Sequence, residues 1–355
     1  MPFKQDRMNN KERIKALWEG RALDRVPLYP FILGFCARNV GYPIRSIYDE
    51  PGESFDAQTR TLEQYGFDWG PMYGYASYGA WEFGGEVKMP TGGYEQAPMH
   101  TVFPVQSEAD VETLRLPDVK KAGSIPLAME FSRLQESAAA PVTVILGGNF
   151  TIAGNICSVE RLCRWVLKKP ELADRMLRMA TDHIVEVVKY WAHTFGGERV
   201  FPQLWEPSAS NNIISPKQFE RFVFPYLVES SRKMLDLGIK HILYHICGEQ
   251  NKNLPLWAEV PMGDPGVCSF GHEVDIQTAI NHVGNSCVIA GNISPSSLQN
   301  DSPAKVYELC KAAVETGRKA PRGFMLMPGC EIPPSTPPHN VYVMRKAIDD
   351  FGWYE

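Results

Sequence analysis

No stretch of 18 or more apolar residues occurs in the 355-residue chain, so a membrane-spanning helix is not expected. The N-terminus has no basic segment followed by an apolar one, which points to a cytoplasmic protein. Runs of like charge are also missing: 41 acids and 36 Lys or Arg are interspersed, for a net charge of −5. That balance disfavours nucleic acid or an anionic membrane as partner. None of the eight cysteines (36, 157, 163, 247, 268, 287, 310, 330) forms a Cys-x-x-Cys pair. In a reducing compartment they should be free thiols, most of them small core residues. Neither an internal repeat nor a low-complexity linker divides the chain, so one domain over 1–355 is the simplest organisation.

What is present is alternation. Short apolar or β-branched runs at Val26–Leu33, Phe67–Tyr73, Val142–Gly147, Arg199–Trp205, Lys240–His245, Pro265–Phe270, Cys287–Gly291 and Phe324–Met327 read as strands. Amphipathic stretches such as Pro170–Phe195, Ser215–Leu237, Asp275–Val283 and Ser302–Thr316 lie between them. Ser215-Pro216 and Ser302-Pro303 have the form of an N-cap followed by a first-turn proline. Gly238 and Gly317 stand where a left-handed C-cap is expected. Eight strands alternating with helices predict an α/β (β/α)₈ TIM barrel, with a doubly wound sheet as the alternative. The segment 69–105 breaks the pattern, being dense in aromatics and glycine. Within it, Glu86–Met89 and Thr101–Val105 could pair as a hairpin. The insertion would then cover the barrel mouth as a lid, or simply pack there.

The strongest chemical signal is His245-Ile-Cys247-Gly248, with Cys330 in the later run Met327-Pro-Gly-Cys-Glu331. Side chains alternate along a strand, so His245 and Cys247 share a face. One imidazole and two thiols suit zinc, and three protein ligands leave a fourth position free for chemistry. A core histidine with two unrelated cysteines would supply the same residue types. Position argues against that coincidence. In a barrel the active site lies at the C-terminal strand ends, where His245, Cys247, Cys330, Glu206 and Asn292 all fall.

Nearly the whole chain resembles the uroporphyrinogen decarboxylase superfamily, and within it the corrinoid-linked zinc methyltransferases. The resemblance rests on Lys11-Glu-Arg-Ile-Lys-Ala-Leu-Trp-Glu-Gly20, Asp24-Arg-Val-Pro27, Glu206-Pro-Ser-Ala-Ser210, Ser215-Pro216, Phe224-Pro-Tyr226, His245-Ile-Cys-Gly248, Gly291-Asn-Ile-Ser-Pro295 and Pro328-Gly-Cys-Glu331. It implies a TIM barrel. The decarboxylases carry an arginine-rich Met-Arg-Gln-Ala-Gly-Arg type segment after the first strand. Here that stretch is Phe31-Ile-Leu-Gly-Phe-Cys-Ala-Arg38-Asn-Val, and the decarboxylases also lack the His-x-Cys…Cys set. The resemblance therefore implies a zinc-dependent methyltransferase working with a corrinoid.

Two directions of transfer are consistent with this. Zinc could polarise a methyl donor for attack by Co(I) corrinoid, or deliver a substrate thiolate to methyl-Co(III), as in the relatives that methylate coenzyme M. Tyr73, Tyr75, Tyr78 and Trp81 could wall an apolar pocket, and a sulfonate thiol would call for a Lys or Arg that the sequence does not place. A methoxy-aromatic donor is accordingly favoured, with a coenzyme M type thiol as the alternative. Asn292 is a further substrate-binding candidate. His241 and Glu331 are candidate partners for the ligands, although His241 also fits a core position. Glu206 is a candidate fourth metal contact or proton-transfer group, or else a helix-capping carboxylate. No Asp-x-His-x-x-Gly stretch occurs, so the corrinoid is expected on a separate protein docking at the barrel mouth. A metal-dependent decarboxylase or lyase using Glu206 or Arg38, and a binding protein that has lost catalysis, are the readings from other classes.

Overall fold

The computed structural model describes residues 3–355. Two short strands, β1 (Glu86–Lys88) and β2 (Met99–Val102), pair antiparallel as a hairpin. Six further strands form one parallel sheet in sequential order: β3 (Val142–Gly147), β4 (Val200–Trp205), β5 (Leu243–Ile246), β6 (Gly266–Phe270), β7 (Cys287–Ile293) and β8 (Phe324–Pro328). These strands are buried almost throughout, as a parallel sheet covered by helices requires.

The first two expected strands do not form ladders. The 26–33 segment closes the barrel against β8 through one parallel bridge, Leu28 to Leu326. Tyr29 N–H donates to the Leu326 carbonyl, and Leu326 N–H donates to that of Pro27. The 67–73 segment shares one backbone-to-backbone hydrogen bond with it, from Asp68 N–H to the Leu28 carbonyl. Pro27, Pro30 and Pro71 have no N–H to give, so an extended backbone there cannot propagate a ladder. The Asp68 carboxylate takes the Leu28 N–H instead, at 2.7 Å, and pairs with buried Arg13 and Arg25. Ion pairing thus supplies part of what strand pairing supplies elsewhere in the barrel. Leu33 begins a helix, Leu33–Val40, rather than ending a strand.

Other boundaries shift for similar reasons. The stretch 215–237 is two helices, Pro216–Phe222 and Phe224–Asp236, the second opening with Pro225 in its first turn. Ser215 caps the first through a reciprocal bond pair with Gln218. Gly238 has the left-handed φ of +87° expected after a helix. Gly317 instead ends the helix Pro303–Gly317, where a Cβ would strike the Phe324 ring. Close packing of that helix on β8, rather than helix termination, requires glycine there. No helix among the described residues is long and apolar enough to cross a membrane.

Candidate metal centre

The ends of β5 and β8, separated in the sheet by β6 and β7, bring the three candidate ligands together. His245 is the third residue of β5, Cys247 follows its end, and Cys330 lies two residues past β8, beyond the Pro328-Gly329 turn. One ligand atom from each, an imidazole nitrogen and two sulfurs, lie within 4.8 Å of one another. His245 is only 2 % exposed, and its Nε2 is buried without a hydrogen-bond partner. A buried imidazole nitrogen left bare beside two thiols is the donor set of a thiophilic metal, so the residues fit zinc. Ring nitrogen Nδ1 lies 2.9 Å from Ser269 Oγ on β6, the residue paired with His245 in the strand register.

The two thiols are strongly unlike. The hydrogen bond from Cys247 holds the Cys330 thiol well below its ordinary range, with the His245 imidazole adding to the effect. The same bond and burial raise Cys247. A bound divalent metal favours both as thiolates.

Above the ligands lies a cavity of about 680 Å³. Phe31, Tyr75 and Trp205 make its aromatic wall, and Lys88, Met89, Gln96, Met99 and His100 approach from the hairpin side. The Phe31 ring meets the His245 imidazole edge to face at 5.0 Å. Glu331 lines the floor beside Cys330, and burial pushes its carboxyl up to about 8. Its Oε1 accepts from Gly34 N–H at 3.3 Å and Tyr48 O–H at 3.4 Å.

Several expected site residues lie elsewhere. Glu206 is fully buried but is a cap: Phe150 N–H, Thr151 N–H and Thr151 O–H donate to it at 2.8, 2.7 and 2.5 Å. These donors are the first turn of the helix Asn149–Cys157, whose free N–H groups attract a carboxylate. Burial nevertheless pushes the Glu206 carboxyl up to about 7. Tyr73 is buried, with its hydroxyl on the Tyr48 carbonyl, and neither it nor Trp81 lines the cavity. Tyr75 does line it, and its hydroxyl donates to Glu82 at 2.8 Å. Asn292 faces a different surface hollow, with its amide donating to the Val274 carbonyl at 2.7 Å. His241 precedes β5, at the strand end opposite the ligands, stacked on Trp18 and bonded to the Pro265 carbonyl at 2.8 Å. Arg38 also lies outside the cavity, donating to the Gly93 carbonyl at 2.5 Å. Ser269 was invisible in the sequence because its partnership with His245 depends on the β5–β6 register. Glu273, whose negative charge bears on Cys247, depends likewise on tertiary placement.

The uroporphyrinogen decarboxylase (URO-D) family model matches residues 9–351. The methylated-thiol–coenzyme M methyltransferase of Methanosarcina mazei is 28% identical over 245 residues, 67% of this chain but only 62% of that protein. The methylcobamide:CoM methyltransferase MtaA of Methanosarcina barkeri is 27% identical over 276 residues, 76% of this chain and 75% of that protein. A uroporphyrinogen decarboxylase of Myxococcus xanthus is 22% identical over 263 residues, 71% of each chain. Among solved structures, a methyltransferase from Methanosarcina mazei matches with a TM-score of 0.82 over 97% of this chain and 99% of its own, at 23% identity, which establishes the shared fold. The chain belongs to the uroporphyrinogen decarboxylase family, and within it resembles the corrinoid-linked methyltransferase branch.

Proposed function

We propose that this chain transfers a methyl group between a small methylated substrate, with methoxy-arenes favoured, and the cobalt of a corrinoid carried by a separate protein. The carrying observation is the cluster of His245, Cys247 and Cys330 beneath an apolar cavity. These three residues would hold zinc, which supplies Lewis-acid polarisation of a methyl-bearing heteroatom or deprotonation of a substrate thiol. Phe31, Trp205 and Tyr75 would bind the apolar body of the substrate and keep water from the ligand face. Residues of the hairpin, Met89, Gln96 and Met99 among them, would complete the enclosure and part to admit the corrinoid protein.

A second reading, methylation of a thiol by methylcorrinoid, draws support from the names of the relatives that act on coenzyme M. Lys88 lines the cavity and could meet an anionic thiol, although it is already paired with Glu95 at 3.2 Å. Anaerobic spectroscopy separates the two. Zinc-loaded protein is mixed with Co(I) cobalamin and methoxy-arenes, methylamines or methyl thioethers. Conversion to methyl-Co(III) with a methoxy-arene supports the first reading. Demethylation of methylcobalamin by added thiols alone supports the second, and silence in both directions rejects methyl transfer.

A further inference from the structure

Resting on the metal-centre reading, we infer that Ser269 and Met327 together set the tautomer of His245, and so decide which ring nitrogen faces the metal. A neutral imidazole carries its proton on one nitrogen and can ligate only through the other. Ser269 Oγ stands between two groups, His245 Nδ1 at 2.9 Å and Met327 Sδ at 3.3 Å. A thioether has no proton to give, so the hydroxyl must donate to Met327 Sδ. Its oxygen then has only lone pairs to offer the imidazole, and Nδ1 must be the protonated nitrogen. The lone pair is left on Nε2, which is buried and unpartnered, on the ring that belongs to the ligand cluster.

The arrangement is built by the sheet rather than by a loop. His245 and Ser269 are register partners on β5 and β6, and Met327 lies on β8. Ser269 is fully buried, so water cannot readily replace its hydroxyl. A carboxylate or backbone carbonyl would be the more usual partner for a ligating histidine. Here a neutral hydroxyl takes the role, made one-directional by a sulfur that can only accept. Ser269 is thus a positioning residue: it acts on the metal through His245 and need not touch substrate.

The test is zinc affinity, measured by competition with a chromophoric chelator on wild type, Ser269→Ala, Ser269→Thr and Met327→Leu. Ser269→Ala should weaken zinc binding about 10- to 100-fold, the range found for partners of metal ligands. Ser269→Thr keeps the hydroxyl and should restore most of the affinity. Met327→Leu frees the hydroxyl to rotate and should cost less than Ser269→Ala. Cobalt(II) substitution gives a second readout: the thiolate-to-cobalt absorption should persist in Ser269→Ala while the ligand-field bands shift. Thermal melts of the metal-free proteins identify any variant that merely unfolds, and Ser269→Thr then decides. Equal zinc affinity in wild type and a folded Ser269→Ala would overturn the inference and leave the metal centre standing. A wild-type protein that binds no zinc would overturn both.

Discussion

The two walls of the cavity are built differently. The ligand wall stands on β5, β6 and β8, where His245 is 2 % exposed and every residue of the three strands is buried. The opposite wall is the β1–β2 hairpin, where Tyr94 is 81 % and Met99 63 % exposed. Its base is firm: buried Glu82 accepts from Tyr75 O–H, Gly79 N–H, Ser124 N–H and Ser124 O–H. Its connecting loop is held by Arg38 on the Gly93 carbonyl, Gln96 on the Glu331 carbonyl, Tyr48 O–H on the Gln96 carbonyl and Ser77 O–H on the Pro98 carbonyl. His245 lies on a ladder strand and the two cysteines just beyond strand ends, whereas the hairpin wall carries the more exposed side chains.

The sharpest challenge to this contrast is removal of a ligand. Cys247→Ala and Cys330→Ala should each lose zinc, from about one ion per chain to almost none, and lower methyl transfer by more than about 100-fold. Circular dichroism should show the barrel intact, because neither side chain carries the sheet. A variant with full zinc occupancy would remove that cysteine from the centre.

The helix cap that follows β4 should also carry a pH signature. Glu206 titrates at about 7 when folded against 4.5 for an ordinary carboxyl. The unfolded chain therefore releases this proton first, and stability falls as pH rises from about 4.5 to 7. The expected size is on the order of 3 kcal/mol, readable by urea denaturation. Glu206→Gln, still able to accept from the helix N-terminus, should flatten this component of the slope. An unchanged slope would place the raised titration elsewhere.

Tyr75→Phe tests the base of the insertion by taking one donor from Glu82. A loss of about 1–3 kcal/mol is expected, with zinc content unchanged. At the tip, Met99→Ala should alter stability by no more than about 0.5 kcal/mol while raising KM for the methyl substrate. Substantial unfolding by Met99→Ala would make the hairpin a structural wall like its opposite.

Local patterning accounts for what was readable beforehand. Apolar runs marked β3 to β8 because each is a buried strand bounded by helix signals, and Ser215 and Ser302 marked true N-caps. The same logic misread Val26–Leu33 and Phe67–Tyr73, where apolar character was present but prolines withheld the N–H groups a ladder needs. His-x-Cys was legible because its ligands alternate along one strand. His241 obeys the same alternation and nonetheless stands half-buried against Trp18 at the opposite strand end, since face alone does not say which end of the strand a side chain occupies.

The sequence by itself therefore determined the α/β alternation, the barrel class and the donor chemistry of His245, Cys247 and Cys330, all set by residue type and short-range period. Tertiary structure alone decided that Glu206 caps a helix, that Asn292 and His241 stand apart, and that Ser269 meets His245. Those outcomes depend on strand register and helix approach, which bring together residues distant in sequence and leave no local trace in the chain.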